Sequence, residues 1–161
     1  MRNNFVTKEN NANFAKAEML IRKPVSDVFE AFINPVITTK FWFTKSTGKL
    51  VVGKKVEWTW EMYNHTVPVF VKSIDPNKTI IIEWGNYEER TEVEWTFKSV
   101  NDNSTFVSIV NKGFIGNTTQ LISQIRDSTE GFTLVLAGLK AYLEYGLQLN
   151  LIADRFPKEV V

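Results

Sequence analysis

An α+β layer pair, in which one long helix lies across the apolar face of an antiparallel meander, is the fold class this sequence predicts. Three observations predict it. Between Gly48 and Gly113 apolar residues recur with period two, between residues 118 and 150 they recur by threes and fours, and the period-two segments gather their tryptophans on one side. A sheet with one apolar face and a helix with one apolar stripe bury each other.

The elements follow in order. Residues 1–14 are polar and asparagine-rich, with Phe5 and Phe14 as isolated apolar points, and read as a loose arm of a single domain spanning 1–161. In "AEMLIRK", Ala17, Met19 and Ile21 alternate with Glu18 and Arg22 as in a half-buried strand, with Leu20 out of pattern. Pro24 opens "PVSDVFEAFIN", where Val25, Val28, Phe29 and Phe32 share one helical face; proline suits a first turn because an N–H there has no intrahelical partner. Pro35 interrupts that helix, and "PVITTKFWF" predicts another turn or two ending in Phe41, Trp42 and Phe43.

Five strands come next, at 55–64, 66–75, 78–85, 90–99 and 104–113, separated by turn signals such as "DPNK" and "NDNS" that are short enough for hairpins. Val56, Trp58, Trp60 and Met62 oppose Glu57 and Glu61; Ile80, Ile82 and Trp84 oppose Glu83; Val93, Trp95 and Phe97 oppose Glu92 and Glu94. Pro68 cannot donate to a ladder, so its strand is expected at an edge or with a bulge. Leu121, Ile125, Ser128, Phe132, Leu136, Leu139, Leu143 and Leu147 then mark the stripe of a helix of about eight turns, with Arg126, Glu130, Lys140 and Glu144 around its opposite side.

Composition narrows the function classes. Nineteen Lys and Arg against eighteen Asp and Glu leave a net charge of +1, so no global field selects nucleic acid or anionic lipid. With no cysteine there is no disulfide, thiolate nucleophile or sulfur-ligated metal, in keeping with a reducing, cytoplasmic setting. No run approaches the roughly 18 apolar residues of a membrane span.

Candidate chemistry is sparse. His65 falls in the "NH" turn and reads as solvated, and Glu57, Glu61, Glu92 and Glu94 are assigned by alternation to the polar face of the sheet. No phosphate-cradling loop, metal-spaced histidine cluster or nucleophile elbow is present, so no catalytic residue, cofactor or metal is assigned. The glycines of the long helix need a reason, since each interior glycine costs about 1 kcal/mol relative to alanine. Gly131 and Gly138 flank the stripe in line with Val135 and Tyr142, which fits either close packing on the sheet or a recess left for a ligand. Aromatic walls facing such a recess would make a pocket. The candidate lining is Trp58, Trp60, Met62, Trp84, Trp95 and Phe97 from the sheet with Ser128, Gly131, Phe132, Val135, Gly138 and Tyr142 from the helix.

With those residues in place the chain resembles, over nearly its whole length, the helix-grip superfamily, also called START-like, Bet v-like or SRPBCC. "PVSDVFEAFINPVITTKFWF" is similar to that superfamily's opening helices, with Trp42 at the end of the motif. "STEGFTLVLAGLKAYLEYG" is similar to the closing helix of the Aha-type family, homologues of the activator of the heat-shock-protein-90 ATPase, with Phe132 where that family often has tryptophan. The resemblance implies a curved sheet gripping the C-terminal helix around a cavity that other members use for lipids, sterols, hormones and polyketides.

Three functions are consistent with it. The first is binding of a small hydrophobic or amphipathic molecule, lipids included. The second is a chaperone-associated or other protein-binding domain, for which Phe41–Phe43 and the Phe5 and Phe14 arm are the candidate surface. The third is a cyclase-like or hydrolase-like enzyme, less expected because few polar groups point inward.

Overall fold

The computed structural model describes residues 13–160. Seven antiparallel strands, β1 (Phe14–Ile21), β2 (Lys45–Ser46), β3 (Lys55–Trp60), β4 (His65–Asp75), β5 (Thr79–Trp84), β6 (Thr91–Asn101) and β7 (Ser104–Lys112), form one curved sheet in the order β1-β7-β6-β5-β4-β3-β2. β2 to β7 are a meander, and β1 joins it beside β7, with Phe14 opposite Lys112 and Ile21 opposite Thr105. Helices α1 (Val25–Ile33), α2 (Pro35–Thr38), α3 (Thr118–Tyr145) and α4 (Leu151–Arg155) are the α-helices among the described residues. This is the helix-grip architecture. The loose arm expected for residues 1–14 lies, apart from Asn13 and Phe14, outside the described residues.

Alternation sets which face is covered. Ala15, Ala17 and Ile21 of β1, Val56, Trp58 and Trp60 of β3, Ile80 and Ile82 of β5, Val93, Trp95 and Phe97 of β6, and Val107 and Ile109 of β7 are all buried. α1 and α3 lie on that face: Phe29 meets Phe97 edge-on at 5.4 Å between ring centroids, and Phe132 sits 6.3 Å from Trp95. The glutamates point the other way. Lys72 bridges Glu83 at 3.2 Å and Glu92 at 2.8 Å on the outer face, and the hydrogen bond from Lys72 holds the Glu92 carboxyl below its ordinary range.

Of the two alternatives for the Pro68 strand the bulge is the one found, between Val71 and Ser73, and the strand is interior rather than an edge; three other expectations need correction. The strand tolerates Pro68 because its carbonyl accepts from Gly85 N–H just past the end of β5, so the missing donor falls where the ladder has already stopped. Met62 has left the sheet, since β3 ends at Trp60 in a 3-10 turn closed by Asn64 in the left-handed region at φ 49°. The long helix ends at Tyr145 rather than 150: Gly146 adopts φ 67°, its N–H and that of Leu147 bond back to Tyr142 and Ala141, and Leu147 falls outside the stripe.

Lys140 and Glu144 are not on a solvated side. The Lys140 ammonium donates to the Leu20 carbonyl at 2.8 Å and to Glu144 at 2.7 Å, and Glu144 also accepts from Arg22 N–H at 3.2 Å. The pair clamps α3 to the free edge of β1. Burial pushes the Glu144 carboxyl up, but Lys140 and the Arg22 amide outweigh it and hold the group below its ordinary value.

At its other end α3 opens with a reciprocal cap. Gln120 N–H donates to Asn117 Oδ1 at 3.0 Å while Asn117 N–H donates to Gln120 Oε1 at 2.9 Å.

Candidate functional site

The two interior glycines of α3 meet different surroundings although they lie on one flank of the helix. A Cβ on Gly138 would stand 3.2 Å from both the Cβ and the carbonyl oxygen of Phe41, so this glycine permits close approach of the chain leaving α2. A Cβ on Gly131 would meet no atom within 4 Å. The recess is at Gly131.

That recess is a cavity of about 240 Å³ between sheet and helix. Trp60 and Trp84 supply its sheet wall, Trp42 its floor, Phe132, Val135 and Gly131 its helix wall, and Ile152 of α4 its cover. Two wider grooves adjoin it and share Asp127 and Ile152 with it. One, of about 530 Å³, runs along Trp60, Tyr63, His65 and Trp84. The other, of about 450 Å³, lies between Gly131, Leu134, Tyr63 and Phe156.

α4 covers the mouth because several contacts hold it there. The Tyr63 hydroxyl donates to the Ile152 carbonyl and, at 3.2 Å, to that of Ala153. Arg155 forms a two-point ion pair with Glu130 of α3, and its guanidinium lies 4.3 Å from the Phe156 ring centroid.

Polar groups along the inner wall are paired with one another. The Ser128 hydroxyl donates to Asn111 Oδ1 at 2.8 Å, Asn111 Nδ2 donates to Thr91 Oγ1 and to the Glu92 carbonyl at 2.9 Å each, and the Trp84 indole donates to Thr91 Oγ1 at 3.0 Å. This chain satisfies an indole that would otherwise be an unpaired donor beside an apolar cavity. Asp127 differs: it is exposed at the rim, and among the described residues no hydrogen bond or ion pair engages its carboxylate. No group of three or more His, Asp or Glu side chains among the described residues is placed to hold a metal ion.

Of the residues expected to line a pocket, Trp60, Trp84, Ser128, Gly131, Phe132 and Val135 come together around this cavity. The others do not. Trp58 is 2% exposed and stacks on Phe43 at 4.5 Å, while Phe97, 4% exposed, packs under α1. Trp95 is 1% exposed, and among the described residues its indole N–H is buried without a partner. Met62 and Gly138 line a narrower cleft of about 80 Å³ that shares only Trp42 and Ile152 with the cavity, and Tyr142 packs against the core. His65 is exposed as expected, but it opens β4 opposite Trp60 rather than sitting in the turn, and its ring is 6.0 Å from Trp60 at the groove.

Sequence reasoning missed Trp42 as a wall, although its ring lies within 6.5 Å of Trp58, Trp60, Trp84, Trp95 and Phe132. It also missed Asp127, Asn111, Tyr63, Ile152 and Phe156. Asp127 was within reach, since it lies one turn before Gly131 on the helix.

Comparison with known proteins bears on fold and family. The crystal structure of protein SSP2350 from Staphylococcus saprophyticus is similar at a TM-score of 0.73 and 27% identity, over 84% of this chain and 95% of that one. The solution structure of the Aha1 dimer from Colwellia psychrerythraea is similar at 0.70 and 20% identity, over 83% and 97%. DynU16, a protein of the dynemicin biosynthetic locus, is similar at 0.74 and 16% identity over 84% of this chain, which spans 49% of that one. Among curated proteins none matches the sequence. The family model described as Activator of Hsp90 ATPase homolog 1-like protein matches residues 22–144, well over half of the chain.

Proposed function

We propose that this chain, which belongs to the family of activator of Hsp90 ATPase homolog 1-like proteins, binds a small apolar or amphipathic molecule between its sheet and its long helix. One observation carries the reading: the open space beside Gly131 faces Trp60, Trp84 and Phe132 in a cavity of about 240 Å³ that adjoins a groove of about 530 Å³. Ligand pockets span about 300–1,000 Å³, so the inner cavity accepts part of a ligand and the groove the remainder. Each Å² of apolar surface removed from water there is worth roughly 25 cal/mol. A glycine that costs helix stability and leaves space instead of packing is explained by an occupant.

The family's description carries a chaperone partner, and the surface offered for such contact changes on folding. Phe41, Trp42 and Phe43 are 7%, 6% and 1% exposed and belong to the core; Phe14, 38% exposed, lies on β1, and Phe5 is outside the described residues. Small-molecule binding is therefore the better supported reading.

It is tested by mass spectrometry of small molecules that copurify with the protein. Titrations of fatty acids, sterols and flavonoid-like aromatics against tryptophan fluorescence accompany it, with folding checked by circular dichroism. Saturable binding that weakens at least about tenfold in Gly131→Leu is the expected result, by the ligand carbons displaced. Hits that bind the folded variant as tightly as the parent place the site elsewhere.

A further inference from the structure

Building on that reading, we infer that the occupant is cationic: an amphipathic amine whose apolar body enters between Trp60, Trp84 and Phe132 and whose protonated nitrogen meets Asp127. Four features point to it. Asp127 borders the cavity and both adjoining grooves, so a ligand leaving the inner cavity in either direction passes its carboxylate. The inner polar groups, Ser128, Asn111 and Thr91, are engaged with one another, and Asp127 is the one carboxylate among the described residues that line the inner cavity.

The remaining charges along the grooves favour the same sign. Glu89 borders the outer groove, Glu130 is matched by Arg155, and the Arg155 guanidinium is further covered by Phe156, so the one strong base among the described lining residues is already engaged. His65 is the other basic side chain at the groove. Three carboxylates against one guanidinium is a local excess of negative charge in a chain whose overall charge is +1.

Indole faces add to this. Trp60 and Trp84 present π-systems beside the carboxylate, and a cation over such a ring is attracted by its quadrupole. A fatty acid carboxylate in the same place would meet Asp127 and Glu89 as like charges, with no free strong base among the described residues lining the grooves to offset them.

Isothermal titration calorimetry with three probes of one shape, naphthylethylamine, naphthylethanol and naphthylacetate, tests the inference on the full chain. The amine is expected to bind about tenfold more tightly than the alcohol, and the acetate most weakly. Asp127 is exposed and outside the core, so Asp127→Asn folds; in it the amine's advantage is expected to shrink below about threefold while the alcohol is unchanged. If amine and alcohol bind alike, or the acetate binds most tightly, the inference fails and the pocket stands. If none of the three binds, the pocket reading fails and the inference with it.

Discussion

Replacing Gly131 by leucine separates a ligand recess from a packing glycine more sharply than any other single change. The new Cβ meets no atom within 4 Å, and Gly131 lines both the cavity and the groove beside it, so the added side chain is expected to take up that open space rather than press on the sheet. Leucine also favours the helix over glycine by roughly 0.8 kcal/mol, and the variant is expected to be as stable as the parent or more so. Its four carbons occupy space a ligand would use. At about 0.8 kcal/mol for each methylene-sized group displaced, the loss of affinity is about 3 kcal/mol, or roughly 150-fold.

Gly138→Leu is the contrast. The leucine Cβ would press on Phe41 from 3.2 Å, and overpacking of about 1–3 kcal/mol exceeds the gain in helix propensity. It should lose stability. Urea denaturation gives the two stabilities, fluorescence titration gives the affinities, and Thr133→Leu on the exposed side of α3 serves as control. A folded Gly131→Leu that keeps its affinity within about threefold would refute the reasoning, because so small a change is well under 1 kcal/mol.

Glu144→Gln should cost about 1 kcal/mol at neutral pH, since it weakens a charge-assisted clamp whose carboxylate side chain is only 6% exposed. The folded carboxyl lies below its ordinary value, so its contribution is present above the unfolded pKa and is lost as pH falls through the folded one. Stability curves of parent and variant therefore converge in acid; a gap that stays constant to pH 2 would contradict the clamp. Tyr63→Phe removes both hydrogen bonds to α4, and hydrogen exchange at residues 151–155 should quicken while the sheet is unchanged. Equal protection of α4 in parent and variant would show that Tyr63 does not hold it.

Legibility followed the range of the forces involved. Alternation along β3, β5 and β6 placed Trp58, Trp60, Trp84 and Trp95 on the helix side of the sheet, because side-chain direction in a strand is fixed by the backbone itself. Spacing along α3 likewise put Phe132, Leu136 and Leu139 in the core. Neither periodicity separates Gly131 from Gly138, which lie two turns apart on one flank. What distinguishes them is Phe41, carried there by a turn after α2 about a hundred residues earlier in the chain.

Similar long-range placement hid other residues. Lys140 and Glu144 look like a solvated pair four apart until the edge of β1 offers them the Leu20 carbonyl and the Arg22 amide. The aromatic run Phe41–Phe43 reads as a surface patch or a core, and only the folded chain shows the core. The helix expected to run to 150 stops at Tyr145, although Gly146 is the residue a left-handed helix stop requires, and α4 beyond it carries too few residues for a periodicity to announce it.

The central claim, that a ligand sits between the sheet and Gly131, is tested most directly by the indole N–H resonances of the five tryptophans. With nitrogen-labelled protein and each peak assigned by a tryptophan-to-phenylalanine variant, a bound titrant should shift Trp60 and Trp84 saturably. Trp95, buried behind Trp42 and Phe132 and not itself lining the cavity, should move far less. Saturable binding that leaves Trp60 and Trp84 in place would contradict the account.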